Sequence, residues 1–137
     1  DGYRPEDIAI FARTNKLVRD RALPVVKACG LTAEQLSESQ GRAEKRVAVG
    51  TLHRAKGLEF KVVLILAAEE GSLPNTKAID SEKQNGTPDM GLRKERNLLH
   101  VGATRARERL LICGAGQRTQ LLDVLDLNTK PTDSPVE

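Results

Sequence analysis

The chain has 137 residues, with 22 lysines and arginines against 19 aspartates and glutamates and a formal net charge of +3. This length fits one domain, and the small basic excess permits contact with a nucleic-acid backbone without the charge of a dedicated nucleic-acid clamp. The longest apolar run, residues 62–68, is far shorter than the roughly 20 residues of a membrane-spanning helix. We therefore expect a soluble, cytoplasmic protein with no membrane partner, and because the chain begins with Asp1 we expect it to be part of a longer one.

Cysteines and aromatic residues are both scarce. Cys29 and Cys113 are too far apart for a CxxC metal pair, so we expect two small buried thiols and no metal site. The aromatic residues are Tyr3, Phe11 and Phe60, whereas proteins that bind single-stranded nucleic acid usually stack several bases on aromatic rings. Any binding of nucleic acid by this chain should therefore use its phosphates.

The first part of the chain predicts two strands with a helix between them. A short apolar run over residues 8–12 is typical of a strand that is covered on both faces, and residues 47–52 are β-branched and apolar. Residues 15–28 suit a helix with Asn15 as its N-cap, and Pro24 would break or kink this helix.

Further elements follow from local patterns. Thr32 and the residues up to Gln35 have the pattern of a capping box, which predicts a short helix. The continuous apolar run within residues 61–68 indicates a central parallel strand, and the Gly-, Pro- and Asn-rich residues 71–91 indicate a long loop. The remaining predictions are a helix over residues 92–107 with solvated charges at 93–96, a strand over 110–113, a helix over 119–127 and a disordered tail over 128–137.

Strands that alternate with helices indicate an α/β fold with an open, mostly parallel sheet and helices on both faces. In such sheets, ligands bind where loops leave the carboxyl ends of the strands. This rule selects residues 13–15 after the first strand, residues 51–60 after the second, and the helix that ends near Arg105 and leads into the last strand.

The sequence lacks a phosphate-binding loop of its own. No GxxxxGK[ST] pattern occurs, so we expect no NTPase activity from this chain by itself. Gly114 and Gly116 form a GxG between a predicted strand and a predicted helix, which allows the hypothesis of an NAD-binding module. A plain strand-to-helix turn explains these two glycines better.

Four segments carry a more specific pattern. Residues 51–60 read TLHRAKGLEF, and residues 100–107 read HVGATRAR. Residues 8–15 read IAIFARTN, and residues 69–74 read EEGSLP. In their order and spacing these segments resemble, respectively, motif V, motif VI, motif IV and the EEG-x-x-P turn of the UvrD/Rep/PcrA-like superfamily 1 DNA helicases. The resemblance covers residues 5–114.

The resemblance implies that residues 1–127 are the second RecA-like domain, called 2A, of a P-loop NTPase-like motor that lacks its own Walker A element. The N-terminal RecA-like domain of the same parent chain would carry that element and hold Mg²⁺, and ATP would bind between the two domains. In this family the motif VI and motif IV arginines, here Arg105 and Arg13, reach the γ-phosphate as catalytic arginine fingers. Gly57 and Glu59 of motif V would bind the nucleotide, with Glu59 at the ribose.

The resemblance also implies contacts with single-stranded DNA. Thr51 and His53 of motif V would lie toward the strand and form hydrogen bonds with its phosphate oxygens, without reading the base sequence. The segment 16–46 between motifs IV and V is too short for the large 2B insertion of UvrD-type enzymes, so we expect 2B to be missing. Ala12 and His100 stand where these helicases often carry Tyr, and the difference at Ala12 removes a ring that stacks on adenine.

Each of these residues also has a structural explanation. Arg105 would complement the dipole at a helix C-terminus, and Glu59 would pair with Lys56 three residues earlier. Thr51 would be an ordinary β-branched strand end, and His53 a structural histidine. For the whole chain, the alternative function is a helicase-like binding module that docks DNA or a protein partner without ATPase activity.

Overall fold

The computed structural model describes residues 2–36, 45–69 and 71–115. Within these ranges the strands are β1 (Ile8–Ala12), β2 (Ala33–Gln35), β3 (Val47–Thr51), β4 (Phe60–Ile65) and β5 (Ala106–Ile112). The α-helices are α1 (Asn15–Leu17), α2 (Leu23–Ala28), α3 (Thr76–Gln84) and α4 (Pro88–Ala103), with 3-10 helices at Pro5–Asp7 and Leu52–Ala55. The five strands form one sheet in the order β2-β3-β1-β4-β5, and every pairing is parallel. The predicted α/β fold is therefore confirmed.

β1 lies at the centre of the sheet, and both of its faces are covered. Ala9 and Phe11 pack on one face, in a cluster that includes Leu99 of α4. Ile10 and Ala12 pack on the other face, against the helical residues that follow β1. Because successive side chains of a strand point to opposite faces, helices on both sides require the continuous apolar run that the sequence shows.

One continuous helical stretch leads from β1 toward β2. In it, α1 is followed by a π-helical turn (Val18–Ala22) and then by α2. The N-cap is Thr14 and not the predicted Asn15, because the Thr14 hydroxyl accepts a hydrogen bond of 3.2 Å from the Leu17 N–H. Pro24 does not break the stretch, since it lies in the first turn of α2, where the π-helical turn already interrupts the regular hydrogen bonds.

The predicted short helix that begins at Thr32 is wrong. Ala33–Gln35 is the edge strand β2, which pairs in parallel with β3. The Val47 N–H donates to the Thr32 carbonyl over 2.9 Å, and the Leu36 N–H donates to the Val49 carbonyl over 2.8 Å. These hydrogen bonds to a distant strand outweigh the local capping signal, which could not reveal them.

The predicted loop over residues 71–91 contains helix α3 and the first turn of α4. Asn75 caps α3, since its side-chain oxygen accepts a hydrogen bond of 3.0 Å from the Ala78 N–H. No residue of α3 is buried, so the segment lacks the apolar period that predicts a helix. Gly91 lets α4 pack closely on α3, because a Cβ atom at position 91 would lie 3.2 Å from the Ile79 Cα atom.

The last two elements start earlier than predicted. α4 begins at Pro88 and ends at Ala103, and β5 begins at Ala106. Residues 107–109 of β5 are charged and exposed, yet they belong to an edge strand, where charged side chains remain in water and block pairing with other chains. Among the described helices, none combines the length and the apolar character that a membrane crossing requires. The predicted C-terminal helix and the predicted tail lie outside the described residues.

Neither cysteine belongs to the core. Cys29 directly follows α2 and Cys113 directly follows β5, and both are exposed. The prediction of two buried thiols is therefore wrong, because each cysteine stands where an element leaves the core. Over residues 2–36, 45–69 and 71–115, no group of His, Cys, Asp and Glu side chains has the arrangement of a metal site.

Candidate functional site

The predicted site residues fall at two opposite edges of the parallel sheet. The segment 52–59 leaves β3 at its carboxyl end and reaches β4 at its amino end, so it crosses from one edge of the sheet to the other. We call the two lines of strand ends the carboxyl edge and the amino edge, according to the ends of the strands that form them. The carboxyl edge carries Arg13, Thr51 and His53, and the amino edge carries Gly57, Glu59 and Arg105.

The structure does not bring Arg13 and Arg105 together. Arg105 directly precedes β5, whose first residue Ala106 pairs with Phe60 at the start of β4. The sequence rule that placed Arg105 at a carboxyl end is wrong here, because a residue before a parallel strand lies at the amino end. The length of β4 separates the two edges by about 17 Å, at about 3.3 Å per residue.

Arg105 lies against the C-terminal turn of α4. Its Nε donates a hydrogen bond of 3.1 Å to the Val101 carbonyl, and its Nη2 donates one of 3.3 Å to the Thr104 hydroxyl. Arg105 therefore does satisfy the end of a helix, as the structural explanation of this residue predicts. A guanidinium carries five N–H groups, so these two bonds leave three for a ligand.

Gly57 and Glu59 belong to the turn that enters β4. Gly57 has φ of +80°, a conformation that glycine adopts without strain, and the Leu58 N–H closes the turn with a hydrogen bond of 3.2 Å to the Ala55 carbonyl. Glu59 is exposed. In the part of the chain that the structure describes, no ion pair joins Glu59 to Lys56, so the structural explanation of Glu59 does not hold.

A polar cavity of about 550 Å³ opens at the carboxyl edge. Thr51 is nearly buried at the end of β3, while His53 and Arg54 are exposed on the 3-10 helix that follows. Among the described residues, no carboxylate lines the cavity, so it favours an anionic ligand that accepts hydrogen bonds. The lining residues are Arg13, Thr14, Asn15, Thr51, His53 and Arg54.

A buried carboxylate holds Arg13 at this cavity. The Nε atom of Arg13 donates to both carboxylate oxygens of Glu95, over 2.9 and 3.0 Å. Glu95 lies on α4 and is 1% exposed, and its Oε1 also accepts a hydrogen bond from the backbone N–H of Asn75, the N-cap of α3. One carboxylate therefore joins the end of β1, the middle of α4 and the start of α3.

Glu95 is a site residue that the sequence patterns do not single out. It follows Arg93 and Lys94, and such a charged run predicts a solvated helix face, which is wrong for Glu95. A signal was present, because Gly91, Glu95 and Leu99 recur every four residues and all three are buried on α4. A glutamate within the buried stripe of a helix indicates an ion pair, since a buried carboxylate needs a partner.

His53 stands beside Arg13, and its pKa is lowered from the ordinary value of 6.5. The main cause is the partial loss of solvent around the ring, which disfavours the charged imidazolium. The positive charges of Arg13 and Arg54 lower the pKa further, while the carboxylate of Glu95 acts in the opposite direction. The imidazole is therefore neutral at pH 7, and one of its nitrogens donates while the other accepts.

The turn after β4 is tied to the helical stretch that follows β1. The Arg21 guanidinium forms an ion pair of 2.9 Å with Glu69, and the other oxygen of Glu69 accepts a hydrogen bond from the Ala115 N–H. The hydrogen bond from Arg21 is the main reason that the pKa of Glu69 lies below its ordinary value. Glu69, the first residue of the EEG-x-x-P segment, thus joins three parts of the chain.

Gly114 is explained by close packing of the backbone. A Cβ atom at position 114 would lie 2.8 Å from the carbonyl oxygen and 2.9 Å from the carbonyl carbon of Ala68. The Ala68 N–H donates a hydrogen bond of 2.9 Å to the Cys113 carbonyl, which keeps the two segments together. The other glycine of the GxG, Gly116, lies outside the described residues.

We expect Gly114→Ala to destabilise the domain by about 1 to 3 kcal/mol, because the added methyl group must displace backbone atoms. Urea unfolding followed by circular dichroism measures the change. Ala115→Gly is the matched control, since Ala115 is exposed and its substitution should alter the free energy of unfolding by about 0.5 kcal/mol or less. Equal unfolding midpoints for the two variants would contradict the close approach of residues 68 and 114.

Comparisons of the sequence with known proteins find similarity to UvrD-like helicases. The sequence model of the UvrD-like helicase C-terminal domain matches residues 6–117. The ATP-dependent DNA helicase Rep of Buchnera aphidicola is 40% identical over 84 residues, which are 61% of this chain and 12% of that protein. The ATP-dependent DNA helicase PcrA of Bacillus subtilis is 35% identical over 82 residues, which are 60% of this chain and 10% of that protein. The chain thus spans about a tenth of the length of these relatives.

A solved structure has a similar fold. The crystal structure of the C-terminal domain of a possible DNA helicase from Lactobacillus plantarum WCFS1 aligns with a TM-score of 0.56, over 85% of this chain and 60% of that chain. The sequence identity is 22%, so this likeness supports the fold alone.

Proposed function

Because the chain belongs to the UvrD-like helicase C-terminal domain family, we propose that it is the C-terminal motor domain of an ATP-dependent DNA helicase or translocase. Relatives that it matches carry the name of ATP-dependent DNA helicases, although the chain spans only a small part of each. The activity of the complete protein is therefore part of this proposal, as are the cytoplasmic location and the absence of a 2B domain.

The amino edge is the proposed nucleotide-binding side. The observation that carries the proposal is the hydrogen bond of 3.0 Å from the Phe60 N–H to the Arg105 carbonyl, because it holds Glu59 and Arg105 close together, directly before the neighbouring strands β4 and β5. Arg105 has three N–H groups left for phosphate oxygens, and the exposed carboxylate of Glu59 accepts hydrogen bonds from hydroxyl groups. A guanidinium beside a carboxylate fits the phosphates and the ribose of one nucleotide.

The rest of the ATP site would come from another domain. Since this sequence contains no phosphate-binding loop, the N-terminal RecA-like domain of the same protein would supply that loop and hold Mg²⁺. Gly57 would let the motif V turn approach the nucleotide, because it has no side chain. Arg105 would stabilise the negative charge that develops on the transferred phosphoryl group. The proposed arginine finger of this domain is Arg105, whereas the Nε atom of Arg13 is held by Glu95 at the other edge.

The carboxyl edge is the proposed DNA-binding side. The Thr51 hydroxyl and the neutral His53 imidazole can each donate a hydrogen bond to a phosphate oxygen, and such contacts do not depend on the base sequence. No Phe, Tyr or Trp side chain lines the cavity in the described ranges, so bases lack the large aromatic rings on which they usually stack. This arrangement supports binding through the DNA backbone, as the aromatic content of the chain predicts.

The segment 52–59 would couple the two sides, because His53 lies near one of its ends and Glu59 lies at the other. A groove of about 400 Å³ with a mainly apolar lining lies along the contact between this segment and α4, and Leu52, Lys56, Leu98 and Val101 contribute to it. The N-terminal motor domain would cover this groove, since the groove lies between the two edges that both domains would share. Closure of the domains on ATP would then shift Thr51 and His53 along the DNA backbone.

Combining the chain with its N-terminal motor domain tests the proposal. We expect single-stranded DNA to stimulate phosphate release from ATP only when both domains are present, because each would supply part of one site. If the N-terminal domain reaches the same DNA-stimulated rate without this chain, the proposed role in hydrolysis is wrong. The alternative would then be favoured, namely a module that docks DNA or a protein without ATPase activity.

The lowered pKa of His53 predicts a pH dependence of DNA binding. A bound phosphate stabilises the imidazolium, so DNA and a proton bind to this site together. Because the pKa of the free site lies below 6.5, we expect the affinity of the complete helicase for single-stranded DNA to rise by up to about tenfold as the pH falls from about 7.5 to about 5.5. Fluorescence anisotropy at constant ionic strength measures the change.

The control for this pH dependence is the second histidine of the chain. His53→Gln should remove most of the rise in affinity, whereas His100→Gln should retain it, because His100 lies exposed on α4 and does not line the cavity. A pH dependence that survives in His53→Gln would show that another group titrates at the DNA.

A further inference from the structure

We propose that residues 119–127 of this chain form an amphipathic helix that packs on an open apolar patch of the sheet. The patch consists of Leu64, Leu66 and Leu111, and we call it the β4–β5 patch. The sequence model of the family ends at residue 117, so this segment lies beyond the part of the chain that the family shares. The inference does not depend on the proposed ATP and DNA sites.

The β4–β5 patch lies on the face of the sheet that α4 does not cover. Leu64 and Leu111 are paired in the register of β4 and β5, so their side chains are neighbours on the same face. Leu111 is 45% exposed, whereas Leu64 and Leu66 are partly buried beside the cluster under the helical stretch that follows β1. An apolar sheet face of this kind is stable when another apolar surface covers it.

A cavity of about 430 Å³ continues the patch at the carboxyl edge. Pro24 and Val25 of α2 contribute to its lining, and so do Leu66 and the backbone that follows β5. Val25 is 41% exposed, so α2 also presents apolar surface there. Because Leu66 belongs to both the patch and the cavity, the two form one continuous surface between α2 and β5.

The described chain leaves β5 at this cavity. Ala115, the last described residue, lines the cavity, and its N–H donates a hydrogen bond to the carboxylate of Glu69. Gly114 lies against the backbone of Ala68, which leaves no room for a Cβ atom. These two contacts fix the point at which the following segment begins, directly beside the surface that it would cover.

Residues 119–127 have the pattern of an amphipathic helix. At 3.6 residues per turn, four apolar residues fall on one side, while Asp123, Asp126 and Leu127 fall on the other. The apolar side consists of Leu121, Leu122, Val124 and Leu125. A helix with such a stripe requires an apolar surface on which to pack.

The length of the segment suits the patch. Nine helical residues extend over about 14 Å, at about 1.5 Å per residue. Leu111 precedes Ala115 by four positions, which place it at most about 13 Å away, at about 3.3 Å per residue. Residues 116–118 provide a connection of ordinary length. A helix that runs back from the cavity along β5 therefore lies over Leu111 and Leu64.

The charges around the patch favour this segment over a second copy of the chain. Arg107 and Arg109 are exposed on the same face as Leu111, because alternate residues of a strand share a face. A second copy packed symmetrically on the patch would bring these arginines toward their own equivalents, and like charges disfavour such an interface. The segment 119–127 instead carries two acidic residues and no basic one.

Cysteine alkylation in the 137-residue chain tests the packing, because Cys113 lines the cavity and Cys29 does not. Mass spectrometry after treatment with iodoacetamide gives the rate for each cysteine in the native chain, relative to its rate in urea. We expect the native state to slow Cys113 by about tenfold or more and to slow Cys29 by about twofold or less. Equal relative rates for the two cysteines would overturn the inference.

The double variant Leu121→Ser with Leu125→Ser removes the centre of the apolar side. It should raise the native rate of Cys113 by about tenfold and leave Cys29 unchanged. Leu127→Ser is the matched control, because Leu127 falls on the polar side, and it should keep Cys113 protected. If the double variant leaves Cys113 as protected as in the unmodified chain, the segment does not cover the cavity and the inference is wrong.

Leu111→Ser tests the same contact from the patch. It should release Cys113 in the same way, and it should cause no further increase in the background of the double variant. Met90→Ser is the matched control, because Met90 is 47% exposed but lies in the first turn of α4. Leu111 is an exposed residue of an edge strand, so its substitution should leave the sheet folded even if the double variant does not fold. Unchanged protection of Cys113 in Leu111→Ser would overturn the inference.

Dilution of the chain distinguishes the segment from a second copy. Packing within one chain does not depend on protein concentration, so we expect the protection of Cys113 to persist on dilution. If Cys113 becomes as reactive as in urea when the chain is diluted, a second copy occupies the patch and the inference is wrong.

Discussion

Replacing Arg105 by alanine in the complete helicase is expected to lower the turnover number of DNA-stimulated ATP hydrolysis by about 10³-fold or more, while ATP still binds. Negative charge develops on the phosphoryl oxygens during transfer, so a guanidinium at this point stabilises the transition state more than it stabilises bound ATP. Single-turnover hydrolysis measures the chemical step, and a fluorescent ATP analogue measures binding.

Arg105 also has structural contacts, whose loss must be distinguished from a loss of catalysis. Its hydrogen bonds to the Val101 carbonyl and the Thr104 hydroxyl should each contribute about 0.5 to 1.5 kcal/mol to stability. A folded domain typically has about 5 to 15 kcal/mol of stability, so Arg105→Ala should remain folded. A modest shift of the unfolding midpoint together with a large loss of turnover is the expected combination.

Arg107→Ala is the matched control for this experiment. Arg107 is an exposed arginine two residues further along, in β5. Its substitution should keep turnover within about twofold of the unmodified protein, because within the described residues no hydrogen bond or ion pair joins it to Glu59 or Arg105. Arg105→Lys keeps the charge but not the planar fork, so it should recover only a small part of the lost rate. If Arg105→Ala itself turns over within a few-fold of the unmodified protein, Arg105 is not an arginine finger.

Elements of the fold could be predicted where burial requires a recognisable pattern of apolar residues in the sequence. The apolar runs of β1 and β4 predict strands covered on both faces, and the sheet confirms both. β2 could not be predicted, because its residues adopt the strand conformation through hydrogen bonds to β3, which is distant in the sequence. α3 has no buried residue and therefore no apolar period, so its composition is that of a loop.

The candidate site, like the fold, could be predicted only in part, because some of its features depend on contacts between residues that are far apart in the sequence. Motif resemblance selects Thr51, His53, Glu59 and Arg105, but it does not reveal that the first two and the last two lie at opposite edges. That separation depends on the parallel order of the strands, which sets the direction of every connection. Glu95 escapes detection because its partner Arg13 is far away in sequence, and only the packing of α4 against β1 brings them together.

The buried position of Glu95 makes its loss costly to the stability of the domain. Glu95→Ala is expected to lower the free energy of unfolding by about 3 to 5 kcal/mol, because it leaves the nearly buried Arg13 charge and the Asn75 N–H without their acceptor. Urea unfolding of the chain measures this loss. Glu82→Ala should cause a much smaller loss, since its partner Lys94 is 60% exposed.

A double-mutant cycle identifies the cause of this loss. If the unpaired guanidinium is the main penalty, Arg13→Ala in the Glu95→Ala background should recover about 1 to 3 kcal/mol, because no buried charge then remains. The part that is not recovered belongs to the Asn75 N–H and to the volume that the glutamate side chain filled. Strictly additive effects of the two substitutions would mean that Arg13 and Glu95 do not stabilise each other. In that case the carboxylate would serve α3 alone, and Arg13 would owe its orientation to the chain around it.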